Sequence, residues 1–363
     1  MDYSLGLRRP HLDAYDRRLA QLLNIARRFQ ASNLWLSEDD SSFDHWNSHA
    51  LFSLHQLAWL YNELGLVAYA QGSLHDAYAL FRATEDIDLV GDRRRVVPGV
   101  ECVGSRRWLR SSLQLALVQL ERGRLSRAGY HLSEILRISR LPESVRGLAL
   151  GYEGLLHHLS GNYDIAEEGY SKAIVILRKE STNFRALSIF HRHRGDLRRR
   201  QKKDEDARRD QLQSIAAAET GRHPALLHFS RVAMANLERN PEARVIIQQS
   251  LRYSLAIGLP KLEADTLKVE GEIALSEGET ERAGQLAINC LGLACAGGMR
   301  LRVTAALILL GKVSAKRNDL KSTESLFRSA IDFGQRQGYQ LQIEEAEQQL
   351  IKLGAVGATG LRP

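Results

Sequence analysis

Cysteine is nearly missing from this 363-residue chain, which has only Cys102, Cys290 and Cys295. An odd number at those separations offers neither a disulfide framework nor a C-x-x-C zinc or redox site, and it favours a reducing, cytoplasmic setting. Proline is scarce at 7 residues, and aromatics make up only 7% of the chain. With Leu, Ala, Arg, Glu and Gln in their place, that shortage favours helix over strand. Long apolar runs are absent as well. The longest, such as Ala305 to Leu310, fall far short of the ~18 residues that cross a bilayer. The opening MDYSLGLRRP has no apolar core of signal-peptide length, so no membrane partner is expected.

Catalytic signatures are lacking too. No G-x-S-x-G, H-E-x-x-H, G-x-x-x-x-G-K-S/T or strand-linked G-x-G-x-x-G occurs. Serine hydrolase, zincin, P-loop and Rossmann patterns are therefore excluded, and no cofactor motif survives. His45 and His49 are spaced as one face of a helix would place two ligands, but no third ligand accompanies them. The expectation is a protein that is not an enzyme and holds neither metal nor cofactor. Charge of one sign is also in short supply: 50 basic against 43 acidic residues leaves +7. That excess is too mild to demand a nucleic-acid partner, so its placement matters more than its sum.

What the chain does have is an internal repeat. Gly154 is followed by His157, Gly161, Tyr163, Ala166, Tyr170 and Ala173 at offsets of 3, 7, 9, 12, 16 and 19 residues. Gly65 leads through Ala68, Gly72, Leu74, Ala77, Phe81 and Thr84 at the same offsets. Gly271 leads to Gly278, Ala283 and Cys290, and Gly311 to Asn318, Phe327 and Ala330. Weaker copies begin at Ala116, with Gly123 and Ala128, at Gly195 and at Arg231. A small anchor and a small residue twelve later suit the crossing of two antiparallel helices, while Gly or Asn at the seventh position can end the first helix in a left-handed conformation. The bulky residue at the sixteenth position is expected to fill the gap between successive hairpins. One such hairpin buries too little to stand alone, so the copies must stack.

This pattern resembles the tetratricopeptide repeat over roughly residues 56 to 335. Its period is near 40 rather than the usual ~34, as in long-helix variants of scaffold proteins and in the sensor arms of bacterial regulators. The resemblance implies an all-α, right-handed superhelical solenoid of about seven helix-turn-helix repeats with an N-terminal helical cap. Residues 1–44 are expected to form that capping helix and an acidic loop. Residues 45–353 are expected to form the array, with a basic insertion at 87–107, and 354–363 a flexible tail.

The resemblance also implies that the first helix of each hairpin lines a concave groove. Carried across, it places Arg110, His158, Arg192, Arg199, Arg200, His228 and Lys268 there, beside apolar Trp59, Leu66, Leu117, Leu155 and Ile308. Residues 191–203 read HRHRGDLRRRQKK, and the insertion brings Arg93, Arg94, Arg95, Arg106 and Arg107 around a Pro-Gly turn that reads as a protruding loop. A basic groove with apolar flanks suits an acidic peptide or the acidic face of a partner protein. A non-catalytic interaction subunit that recruits or regulates another chain is the leading expectation. The alternative is RNA or DNA binding through stretches 93–110 and 192–203. For Arg198 to Lys203, pairing with the adjacent Asp204, Glu205 and Asp206 competes with either role.

Overall fold

The computed structural model describes residues 47–93, 106–179 and 183–359. Among the described residues every regular element is a helix. In chain order they are α1 (Asn47–Ala70), α2 (Leu74–Arg93), α3 (Arg106–Glu121), α4 (Leu125–Leu136), α5 (Glu143–Leu159), α6 (Tyr163–Arg178), α7 (Phe184–Arg200) and α8 (Asp204–Thr220). There follow α9 (Pro224–Glu238), α10 (Pro241–Ile257), α11 (Pro260–Ser276), α12 (Thr280–Ala296), α13 (Arg300–Lys316), α14 (Leu320–Gln337) and α15 (Gln340–Thr359). Successive helices pack antiparallel as seven hairpins among the described residues, and from α3 to α13 each first helix also touches the next one. The seven repeat anchors fall one on each first helix, from Gly65 on α1 to Gly311 on α13.

Local chemistry explains the hairpins. Gly161 turns the chain between α5 and α6 at a φ of 80°, a left-handed conformation that costs glycine nothing. The same offset is left-handed in other copies even without glycine, at Lys202 and Asn318. At the crossing, the sixteenth-position ring lies directly on its own anchor. A Cβ on Gly65 would come within 2.6 Å of the Phe81 ring, and one on Gly154 within 3.1 Å of Tyr170. Tyr170 also reaches the following hairpin, where Phe190 lies 6.5 Å away between ring centres. These rings are fully buried together with Ala166 and Ala173, so each hairpin is joined to the next by a continuous apolar seam. Burying one such side chain stabilises the fold by about 1.5–3 kcal/mol.

The array winds far enough to meet itself. The turn after α1 rests on the start of the sixth and seventh hairpins: Leu74 shares an apolar cluster with Ala264, Met299 and Val303, and Gly72 abuts Met299 and Pro260. The turn after α3 meets the end of α14, where a Cβ on Gly123 would lie 2.6 Å from Gln337. Tyr339, fully buried between α14 and α15, sends its hydroxyl to the carbonyls of Leu120 and Glu121 at 3.0 and 3.1 Å. The turn after α5 meets α15, where Tyr163 donates to Glu344 at 2.5 Å. The early turns of the solenoid therefore sit on its late ones, and the inner side of its first helices is the candidate lumen.

The N-terminal capping helix and acidic loop lie outside the described residues, as do Arg94 and Arg95. At the edges of the expected insertion, α2 continues to Arg93 and α3 begins at Arg106. The final helix runs to Thr359.

One substitution made at two glycines should have opposite effects. A Cβ on Gly151 would fall 2.2 Å from the buried Phe190 ring, so Gly151→Ala should cost about 1–3 kcal/mol. Gly292, inside α12, has open space around its Cβ direction, so Gly292→Ala should add about 0.5–1 kcal/mol. Urea unfolding of both variants checks the signs.

Candidate ligand-binding lumen

The most basic helix, α7, owes much of its charge to structure. Asp210 of α8 is buried, and its carboxylate accepts from His191 Nδ1 at 2.8 Å, from Arg194 at 2.7 and 2.9 Å, and from Arg198 at 2.9 Å. Burial alone would raise the Asp210 pKa, but the bonds and charge from His191 and Arg194 outweigh it and lower it. His191 accepts from Arg178 on its other nitrogen at 3.2 Å, and burial keeps the ring in its neutral form. Arg198 and Lys203 also hold Glu167 of α6. Within the run, Arg194, Arg198 and Lys203 are thus paired across the helices by Asp210 and Glu167, whereas Asp206 pairs with Arg209 of its own helix.

A second set of charges faces the lumen. Lys268 holds Glu272 at 3.1 Å, Lys312 holds Glu345 at 2.7 Å, and Arg200 reaches the same Glu345 at 3.5 Å. Lys312 lies 4.0 Å from Glu272, so the two pairs form one chain of charge from α7 across α15 and α13 to α11. Burial acts to raise the Glu272 pKa, yet Lys268 and Lys312 overcome it and bring it to about 2. His228 stacks on Tyr253 with ring centres 4.2 Å apart and bonds Ser250 at 3.0 Å. Arg192 lies over the Phe229 ring at 5.5 Å. Arg192 and Arg200 stand on α7, His228 on α9 and Lys268 on α11, all first helices of their hairpins.

Other candidates are placed differently. His158 is only 4% exposed, because it lies beneath the wall against Tyr170 rather than on a groove surface. Ile308 is buried beside Phe327. Leu66 packs onto the core around Phe81, Leu155 onto that around Tyr170, and Leu117 is half-buried, so these serve packing between repeats. Arg110 pairs with Glu63 at 3.3 Å between the first helices of the first two hairpins, and Trp59 is 55% exposed. Of the insertion, Arg93 ends α2 while Arg106 and Arg107 open α3. His45 lies outside the described residues, and among those described no group of His, Cys, Asp and Glu can hold a metal. None of the helices is long and apolar enough to cross a membrane, among the described residues.

The charges that matter most for shape were not legible in the repeat. Glu121, the last residue of α3, takes Lys261 of α11 at 3.3 Å and Arg302 of α13 at 2.8 Å. Arg302 grips Asp265 with two bonds of 2.9 and 2.8 Å, Tyr69 donates to Glu121 at 3.1 Å, and the Lys261 ammonium sits 3.0 Å from the centre of the Tyr69 ring. Burial opposes ionisation of Glu121, but its two cations prevail and its pKa falls to about 2. For Lys261 burial prevails and the pKa falls to about 8, because the one carboxylate it touches is shared with Arg302. Partners separated by 140 and 181 residues leave no local pattern to read.

No protein-family profile matches the chain, and no curated protein matches it in sequence. Solved structures do. The Rap protein complexed with competence and sporulation factor has a TM-score of 0.58 at 13% identity, over 81% of this chain and 80% of that one. NprR in complex with its cognate peptide NprX has a TM-score of 0.56 at 13% identity, over 83% of this chain and 84% of that one. A tetratricopeptide repeat protein from Parabacteroides merdae is more distant, with a TM-score of 0.43 at 14% identity over 79% and 98% of the two chains. The anchors on successive hairpins and the likenesses to the Rap and NprR structures define the fold class, an α-solenoid of tetratricopeptide-like repeats.

Replacing Glu121 by Gln leaves Lys261 and Arg302 without their shared carboxylate, so at neutral pH it should destabilise the protein by about 3 kcal/mol. A depressed carboxylate pKa stabilises above its unfolded value, and the benefit fades as pH falls through its folded value of about 2. The penalty of Glu121→Gln should therefore shrink between about pH 5 and pH 2, as urea midpoints across that range would show.

Proposed function

We propose that the chain is a non-catalytic peptide-binding regulatory subunit, whose lumen takes an acidic segment and passes that event to a separate effector protein. One observation carries this reading. Among the described residues Arg192 and Arg199 meet no carboxylate, although Lys261, Lys268, Arg302 and Lys312 on later first helices are all paired. An acidic ligand supplies the missing countercharge in a partly desolvated setting, where charge-assisted bonds are strong. Two proteins of similar fold carry ligands, NprR its cognate peptide and Rap its competence and sporulation factor, and that supports a ligand-receiving role for this array. Nucleic acid is disfavoured because Arg194, Arg198 and Lys203 already hold carboxylates within the fold.

Fluorescence polarisation with a labelled set of short acidic peptides, compared with the same peptides carrying Asn and Gln for Asp and Glu, tests the proposal. Saturable binding of the acidic set alone should weaken with added salt. Arg192→Glu should weaken it about tenfold or more while leaving the melting curve nearly unchanged. Equal binding of both sets, or none by either, would contradict it.

A further inference from the structure

The last helix brings two neighbouring carboxylates to basic walls of the array. α15 follows the seventh hairpin with no second helix of its own among the described residues, and it reaches back to the early turns instead. Gln340 abuts Gly161, and Tyr163 donates to Glu344 at 2.5 Å. The adjacent Glu345 lies 2.7 Å from Lys312 of α13 and 3.5 Å from Arg200 at the end of α7. Glu272 of α11 completes the cluster, with Lys268 and Arg239 each at 3.1 Å and Lys312 at 4.0 Å.

Charge in this cluster does not balance. Four cations, Arg200, Arg239, Lys268 and Lys312, share the two carboxylates of Glu272 and Glu345. Burial would raise the Glu345 pKa, yet Lys312, Arg200 and Lys268 outweigh it and keep the group ionised. The cations are not sealed in: the side chains of Arg200, Lys268 and Lys312 keep 27%, 24% and 23% of their surface, so a solute can touch them. A partly desolvated excess of positive charge attracts an anion more strongly than the same charges in water. The Arg200 contact is also longer than the ~2.7–2.9 Å of a strong charge-assisted bond, so a better-placed carboxylate can take that guanidinium from Glu345.

We propose that Arg200 and Lys312 form a carboxylate-binding subsite of the lumen, which Glu345 occupies from within as an internal competitor of the peptide. This rests on the peptide-binding reading of the lumen and gives it both an anchoring point and a restraint on affinity. Lys268 and Arg239 remain with Glu272 and supply the surplus positive charge. The Glu344–Glu345 pair of α15 is the pattern that a ligand must match, so the subsite favours peptides with neighbouring acidic side chains.

Polarisation titrations of the full-length protein with fluorescein-labelled tri-glutamate and tri-glutamine test this. Glu345→Gln removes the competitor and leaves four cations on one carboxylate, so tri-glutamate should bind about tenfold tighter while tri-glutamine does not respond. Adding Lys312→Met to Glu345→Gln should abolish the gain, which a merely loosened fold would keep. Glu281→Gln makes the same change of net charge on α12, where Glu281 is 87% exposed and pairs with Arg317, and it should leave affinity unchanged. Equal or weaker binding of tri-glutamate by Glu345→Gln, or binding of it by neither protein, overturns the subsite. The lumen reading falls with it only if the wider set of short acidic peptides fails to bind as well.

Discussion

The structure depends on the layer contact made where Glu121 meets Lys261 and Arg302. A stack of helical hairpins has nothing in its local chemistry that stops it from staying open, because each repeat touches only its neighbours. Here the ends of the early first helices rest on the starts of the late ones, and the contact carries both apolar and ionic terms. Tyr339, Met299 and Leu74 supply the dry part. Glu121, Asp265, Lys261 and Arg302 supply a charged part, with Tyr69 bridging the two. Dry contacts favour closure in any register, whereas the bidentate grip of Arg302 on Asp265 and its bond to Glu121 admit only one.

Closure changes what the concave surface is. An open groove would leave its charges in water, where ion pairs contribute little. Brought face to face, those charges are partly desolvated, and any cation left without a countercharge becomes a recognition element. Glu272 and Glu345 take up Lys268, Lys312 and Arg200. Among the described residues Arg192 and Arg199 are not absorbed by a carboxylate, and Arg192 lies over the Phe229 ring.

Much of the fold was legible because the repeat is local physics. A glycine over which a ring packs, a left-handed turn seven residues on and an alanine at the crossing are all within one hairpin, so Gly65 with Phe81 or Gly154 with Tyr170 can be read from spacing alone. The candidate site was legible only in part. Spacing identifies which residues sit on first helices, but not which way each one faces, so His158 and Ile308 went to the surface when they belong under it. The HRHRGDLRRR run looked like free charge because its chief counterion, Asp210, lies on the next helix at an offset no repeat position shares. Glu121 could not be seen at all, since its partners come from hairpins far along the chain and the superhelical pitch that joins them is a property of the whole array.

The claim that ionic contact between early and late turns keeps the array closed is tested most directly by small-angle X-ray scattering of Glu121→Lys, which sets three cations together at the layer contact. The account predicts a larger radius of gyration and a longer maximum dimension than the unaltered protein, with unchanged helical circular dichroism. Superimposable scattering curves from the two proteins would contradict it.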